Sequence, residues 1–462
     1  MRLLHIAAVF ALASLGACAS LAPAPPERPK NVLFFLGDGL GMNTMTAARI
    51  YAVGEDGELT LDTLPESAFV KTFSQDAQVT DSAASMSAYM TGVKVNNGVV
   101  SMSAGTLARA NQCGSGHAVP TLAELARARG LSVGVVTTTS VTDATPAAVY
   151  AHVCERGMQS HIAQALVPGG AGFNTALGPN GLDVVLGGGS AFFKGAAQGG
   201  KRTDGRDLLA ELTTGGVRLV TTPAQLDALD PGARQSVVGL FAPGHLDYDA
   251  VRDPAVQPGL AQMTVKAISL LAQNPKGFFL VVEGGLIDKA LHNTLAKRAL
   301  QETVTFDAAL KAAIAQMRAL DPGLKNTLIV ATADHDHTLL LNGYARRTGK
   351  TTPTQPGVLG LVRRVDNGEA RRDLDGAPFT IIGFGTGENR VQGSRAATPP
   401  LTDAIVSADG YHQEAVVRMP PGEETHGGSD VYLGAIGAHA DSFTGTIDNT
   451  RVFELIKAAA GW

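Results

Sequence analysis

Short apolar runs punctuate this chain, separated by longer stretches of helical periodicity. The runs at 32–36 (Val-Leu-Phe-Phe-Leu), 133–137 (Val-Gly-Val-Val-Thr), 278–282 (Phe-Phe-Leu-Val-Val), 328–331 (Leu-Ile-Val-Ala), 379–382 (Phe-Thr-Ile-Ile) and 431–436 read as strands. They are nearly continuous rather than alternating, the mark of strands buried on both faces. Between them, 119–129 reads as a helix, and Met86, Tyr89, Met90 and Val93 recur at helical spacing after Thr80-Asp81-Ser82. The pattern predicts an α/β fold with a large central, mostly parallel sheet and helices on both faces. The stretch 343–425 is irregular and rich in Arg, Gly and Pro. It is expected to be a small insertion carried on the sheet edge.

Polar residues fall at telling places in this pattern. Asp38, Glu283, Asp334 and His335 all stand at or just past the C-terminal ends of predicted strands, the edge at which open α/β sheets bind ligands. An Asp alone at such a place is a common turn former. Several on separate strands predict one site. The glycine-rich turn Gly37-Asp38-Gly39-Leu40-Gly41 is not a dinucleotide fingerprint, because Met42 stands where the third glycine belongs.

The N-terminus has its own pattern. Arg2 precedes an apolar run at 3–15 that ends in Gly16-Ala17-Cys18-Ala19-Ser20. The run is too short to span a bilayer comfortably and reads as a secretory signal peptide over 1–17. Two readings of Cys18 stand: the lipid-bearing first residue of a bacterial lipoprotein, or an incidental cysteine beside an ordinary cleavage site. A Pro-rich linker follows over 18–30. The protein is therefore expected to be exported, and either periplasmic or anchored to the membrane through Cys18. In an oxidising compartment Cys113 and Cys154 are available to pair, which the sequence leaves open.

Composition narrows the chemistry. Of 462 residues, 45% are hydrophobic and 17% charged, as in a globular chain. With 37 Lys and Arg against 42 Asp and Glu, the net charge of −5 lacks the basic excess of a nucleic-acid binder. Only 3 cysteines stand beside 11 histidines, so a metal site would use nitrogen and oxygen ligands.

Candidate ligands are present. Asp288 and His292 sit four apart, on one face of a helix. An Asp with a His suits zinc, although such a pair alone is more often a surface hydrogen bond. Asp334-His335-Asp336-His337 looks like a metal tract, but not all four side chains of a strand end can converge. His426 lies in Glu424-Thr425-His426-Gly427-Gly428, where small residues permit close approach. Ser82 is placed in a first helical turn by Asp81 as N-cap, where free N–H groups and the helix dipole favour an alkoxide or phosphate. A routine serine near a helix N-terminus fits this segment equally; Ser82 has no neighbouring His and no G-x-S-x-G elbow, and a metal could activate it instead.

Together these segments resemble the alkaline phosphatase family. The resemblance rests on Gly37-Asp38-Gly39, Asp81-Ser82-Ala83-Ala84-Ser85, Thr142-Asp143-Ala144-Thr145-Pro146, Glu283-Gly284-Gly285 with Asp288 and His292, Thr332-Ala333-Asp334-His335, and Thr425-His426-Gly427-Gly428 in family order. It implies one catalytic domain over 31–462. It implies Ser82 as the phosphorylated nucleophile and Arg156 as the phosphate grip. Asp288, His292 and His426 would be the ligands of one Zn2+, and Asp38, Asp334 and His335 those of a second. Thr145 and Glu283 would join Asp38 around one Mg2+, with Asp143 at or beside it. Lys289 would stand next to that site, and Asp336 and His337 would have supporting roles. The Asp143–Lys289 combination is similar to the bacterial prototype. The resemblance further implies hydrolysis of small phosphate monoesters and a homodimer. Alternatives are a phosphodiesterase or sulfatase of the same architecture, or a non-catalytic lipoprotein that binds metal and phosphate.

Overall fold

The computed structural model describes residues 28–109 and 112–462. The proposed signal segment, Cys18 and most of the Pro-rich linker lie outside the described residues. Its strands, in chain order, are β1 (Asn31–Gly37), β2 (Glu66–Lys71), β3 (Ser132–Ser140), β4 (Val184–Gly188), β5 (Arg218–Val220), β6 (Val237–Leu240), β7 (Phe278–Gly284), β8 (Thr327–Ala333), β9 (Asp336–His337), β10 (Leu339–Leu341), β11 (Ile382–Gly387), β12 (Ala415–Arg418), β13 (His426–Gly427), β14 (Val431–Gly437) and β15 (Gly445–Asp448). The helices that matter here are α1 (Met42–Val53), α2 (Ser82–Thr91), α3 (Leu122–Ala128), α4 (Ala144–Tyr150), α5 (Leu260–Leu271), α6 (Leu286–His292), α7 (Ala296–Leu320) and α8 (Asn449–Ala460).

Ten strands form one sheet in the order β15-β2-β14-β8-β1-β7-β3-β4-β6-β5. β14 is antiparallel to both of its neighbours, and every other described pairing in this sheet is parallel. The sheet is thus mostly parallel, as its unbroken apolar strands require. Helices α1, α5 and α7 cover one face, and α2, α3, α4 and α8 the other. Adjacent residues of β1 show why both faces must be apolar. Phe34 packs on Tyr89 of α2 with ring centroids 5.4 Å apart, and Phe35 on Phe306 of α7 at 6.1 Å. Both phenylalanines are fully buried.

The run at 379–382 departs from expectation. The strand begins only at Ile382, and Thr380 makes an isolated bridge to Leu361. β11 joins β10 and β12 in a separate three-stranded sheet, so much of 343–425 is built around this small sheet. Helix α3 is shorter than the predicted 119–129 because Thr121 caps it, with Glu124 closing a capping box.

Register places the site. β8, β1, β7 and β3 are adjacent at the centre of the large sheet, with Gly37 opposite Gly284 and Ala333, and Thr137 opposite Glu283. Asp38, Glu283, Asp334 and the turn after β3 therefore emerge side by side at one edge. The β9–β13 pairing then sets His426 opposite His337. Among the described residues no helix is long and apolar enough to cross a membrane.

Candidate active site

Helix α2 presents Ser82. The Asp81 side chain accepts from the Ala84 N–H at 3.0 Å and caps the helix, which leaves Ser82 in the first turn. Ser82 is 2% exposed, and its Oγ lies 3.3 Å from His335 Nε2 and 3.4 Å from Asp38 Oδ1. Arg156 points two nitrogens at carboxylates: one is 3.0 Å from Asp81 Oδ2, the other 3.2 Å from Asp143 Oδ1. Burial opposes the guanidinium charge, but Asp143 and Asp81 hold it firmly cationic. The helix cap thus joins nucleophile and arginine in one hydrogen-bonded unit.

Beside this unit lies a carboxylate ringed by imidazoles. Asp288 Oδ1 is 3.2 Å from His292 Nε2, 3.4 Å from His426 Nε2 and 2.8 Å from His337 Nε2. The Nε2 atoms of His292 and His426 are 3.2 Å apart. His292 Nδ1 faces the Glu424 carbonyl at 2.5 Å and His426 Nδ1 the Thr80 carbonyl at 2.9 Å. A carbonyl only accepts, so each Nδ1 carries a proton, and in the neutral rings both Nε2 atoms turn lone pairs toward Asp288. Two lone-pair nitrogens converging on a carboxylate are the donor set of a cation.

Asp38, Asp334 and His335 form a neighbouring group. His335 Nε2 is 3.4 Å from Asp38 Oδ1 and 3.4 Å from Asp334 Oδ2. Asp334 Oδ1 accepts from the Gly39 and His335 N–H groups at 3.0 Å each, whereas its Oδ2 is buried without a hydrogen bond. Burial, with repulsion from Asp288 and Asp334, pushes Asp38 well above the usual carboxylate range. Burial raises Asp334 and lowers His335. A third group stands on β7, β3 and α4. Glu283 Oε2 takes hydrogen bonds from Thr137 and Thr139, while Glu283 Oε1 and Thr145 Oγ1 are buried and unpartnered. Burial pushes Glu283 up to about 7 despite the Thr137 bond. Lys289 bridges the groups, 3.0 Å from Asp288 Oδ2 and 3.6 Å from Asp143 Oδ2.

Orphaned buried oxygens and mutually repelling carboxylates are costly in a protein interior. Divalent cations invert both effects, so the residues present fit metal ions. Donor atoms of Asp288, His292, His337 and His426 lie within 4.8 Å of one another, and so do those of Asp38, Asp288 and His335. His337 is nevertheless a poor ligand. Its Nδ1 meets Glu424 Oε2 at 2.5 Å and its Nε2 meets Asp288 Oδ1. Burial works against its charge, but Glu424 and Asp288 push it up to about 10, and an imidazolium has no lone pair to give.

The Asp-His-Asp-His tract therefore splits: His335 meets Ser82 and Asp334 lies against His335 and the Gly39 N–H, whereas Asp336 and His337 form β9. The glycines of the β1 turn make room for this. A Cβ on Gly39, which has φ +70, would lie 2.5 Å from His337 Cδ2, and one on Gly41 would lie 1.5 Å from Asp336 Oδ1. Three supporting groups escaped the sequence reading. Glu424 braces His337, Thr338 and, through its carbonyl, His292; it becomes visible only once β9 pairs with β13. Thr137 and Thr139 were signalled by hydroxyls in an otherwise apolar run. His245 accepts the Ser140 N–H at 3.0 Å and stands 3.9 Å from Asp143 Oδ2, with no local motif to mark it.

Comparison with known proteins bears on the family and the fold. A family model described as alkaline phosphatase matches residues 29–462. The human tissue-nonspecific isozyme of alkaline phosphatase is 35% identical over 459 residues, covering 93% of this chain and 83% of its own. An alkaline phosphatase of Gadus morhua is 34% identical over 479 residues, covering 98% and 96%. Among solved structures, the Thermus thermophilus alkaline phosphatase is 25% identical, with a TM-score of 0.67 over 98% of this chain and 96% of its own. The enzyme from the Antarctic bacterium TAB5, at 22% identity, matches in fold with a TM-score of 0.65 over 94% and 99%.

Proposed function

The chain belongs to the alkaline phosphatase family of phosphomonoesterases, and on that premise we propose that its turnover passes through a phosphoserine at Ser82. One observation carries the reading: Ser82 opens α2 beside His335 and Asp38, and the residue that caps α2 also holds Arg156. We assign Asp288, His292 and His426 to one zinc ion, Asp38, Asp334 and His335 to a second, and Asp38, Thr145 and Glu283, with Asp143, to one magnesium. When bound, these ions supply Lewis-acid stabilisation of the attacking and leaving oxygens and lower the pKa of coordinated hydroxyls.

The chain's own groups do the rest. Arg156 exchanges Asp81 and Asp143 for two phosphoryl oxygens, a pairing that its planar fork makes in parallel and a lysine does not. Ser82 Oγ attacks phosphorus in line as the P–O bond to the alcohol breaks; its proton passes through solvent to the departing oxygen, which leaves as the alcohol. The N-terminus of α2 favours the alkoxide. Water then displaces Ser82 from the opposite side and releases inorganic phosphate. Lys289, which burial disfavours as a cation but Asp288 and Asp143 hold well above its usual range, adds positive charge beside the phosphate. A third metal and a bidentate arginine both reward the dianion of a monoester over the monoanion of a diester. We also propose that the protein is exported, which the described Cys113–Cys154 disulfide supports.

The test compares nitrophenyl phosphate, bis-nitrophenyl phosphate and nitrophenyl sulfate on the purified mature protein. The monoester is expected to dominate, and faster diester cleavage would overturn the choice. Ser82→Ala is expected to retain its metals, form no phosphoenzyme by intact-mass analysis, and lose turnover by about 10³-fold or more. A stable phosphoryl label on another residue would refute the assignment.

A further inference from the structure

Arg156 lies beyond the end of α4, in a segment, 151–158, without a helix or regular strand. Its neighbours must therefore hold it. Val153 and Val100 exchange backbone hydrogen bonds at 2.9 and 3.1 Å, the Arg156 N–H donates to the Gly98 carbonyl at 2.8 Å, and His152 Nδ1 meets the Ser101 carbonyl at 2.7 Å. The 98–101 strip is itself tied to the nucleophile helix, because the Ser101 N–H donates to Ser87 Oγ of α2 at 2.8 Å. A ladder of hydrogen bonds thus connects Ser82 to Arg156.

One covalent bond reinforces that ladder. Cys154, fully buried and two residues before Arg156, is bonded to Cys113, which opens a single turn in the long loop after the strip. That loop returns to the same strip, where the Val119 N–H donates to the Ser101 carbonyl at 3.1 Å. The bridge closes 41 residues of sequence separation onto the residue pair that precedes the arginine. Past it the segment turns outward, and Gly157 is exposed.

We propose that the Cys113–Cys154 disulfide is a positioning element for Arg156, fixing its backbone so that the guanidinium meets the phosphoryl group without a search. This rests on the reading of Arg156 as the phosphate grip. In each turnover Arg156 leaves Asp81 and Asp143 and later returns to them. A side chain that changes partners repeatedly needs a backbone that does not move with it, or each binding event costs the entropy of ordering the segment.

The experiment uses the Cys113→Ala/Cys154→Ala double variant as zinc- and magnesium-loaded holoenzyme, beside the native enzyme. Both KM for nitrophenyl phosphate and the inhibition constant of inorganic phosphate are expected to rise about 3- to 30-fold, with kcat within about twofold. Zinc content and the far-UV spectrum are expected to be unchanged. Native enzyme reduced with a phosphine in the same metal buffer, and alkylated, is expected to show the same split. In an Arg156→Ala background, which by itself should weaken phosphate binding, removing the bridge is expected to add nothing, because its effect passes through the arginine. An unchanged phosphate constant in the folded double variant overturns the proposal, and so does an additive loss in the Arg156→Ala background. Failure of the variant to fold, together with loss of zinc on reduction, makes the bridge a general staple and also overturns it. Arg156→Ala with undiminished phosphate binding refutes the reading of Arg156 itself, and the positioning role falls with it.

Discussion

Glu424 shows how much can depend on one side chain to which the sequence assigned no role. It is 1% exposed, and its carboxylate receives His337 Nδ1 together with the N–H and hydroxyl of Thr338. Through His337 it orients Asp288, and through its own carbonyl it fixes the tautomer of His292. Supports of this kind typically govern metal affinity by 10- to 100-fold. Glu424→Gln keeps the shape and removes the charge. It is expected to lose zinc to a competing chelator about 10-fold more readily, while activity at saturating zinc stays near that of the native enzyme. A chelator titration followed by metal analysis checks this, and unchanged zinc retention would contradict it. The ligand candidates themselves were readable because each sits in a short, dense motif. Glu424 was not, because its role exists only across the β9–β13 pairing.

At the level of elements, α7 carries a titrating group away from the metals. Glu302 is 4% exposed and accepts the Asp249 N–H at 2.6 Å. Burial pushes its carboxyl up to about 7, against an ordinary value of 4.5. Between those values the folded chain holds a proton that the unfolded chain has released, so stability falls as pH rises through this window. The difference corresponds to an upper bound of about 3 kcal/mol, fully expressed above pH 7. Glu302→Gln, neutral at every pH, is therefore expected to raise the melting temperature at pH 8.5, with the gain shrinking towards pH 5. Melting curves of both proteins across that range decide it; a gain that grows on acidification would reverse the sign argued here. A second element-level expectation concerns the β1 turn. Gly41→Ala drives a methyl group into Asp336 and is expected to destabilise the fold by about 1–3 kcal/mol, measured by denaturant unfolding. The same turn, read as sequence, offered Asp38 as a ligand and excluded a dinucleotide loop, but showed nothing of the packing of Gly41 against Asp336.

For the whole molecule, the site is a seam where four adjacent strands end, and burial and mutual repulsion raise Asp38 and Glu283 there. Metal binding is accordingly linked to folding stability. Chelation is expected to abolish activity and lower the melting temperature by several degrees, and zinc with magnesium should restore both. Calorimetry of chelated and reloaded protein tests this; loss of activity with no change in melting would show that the ions contribute to chemistry alone. Much of this architecture was legible beforehand. Unbroken apolar runs announce strands buried on both faces, since only a two-sided core accepts Phe34 and Phe35 in succession. The polar residues that end those runs announce the chemistry, because donor type is a property of the residue itself. What the tertiary structure alone decided is relational. It reversed β14, bonded Cys113 to Cys154, paired Asp336 and His337 with β13, and set Glu424 against His337. Each of these depends on the register between segments far apart in sequence. Local pattern carries information about burial and donor type; only the folded chain determines which lone pairs, protons and charges meet.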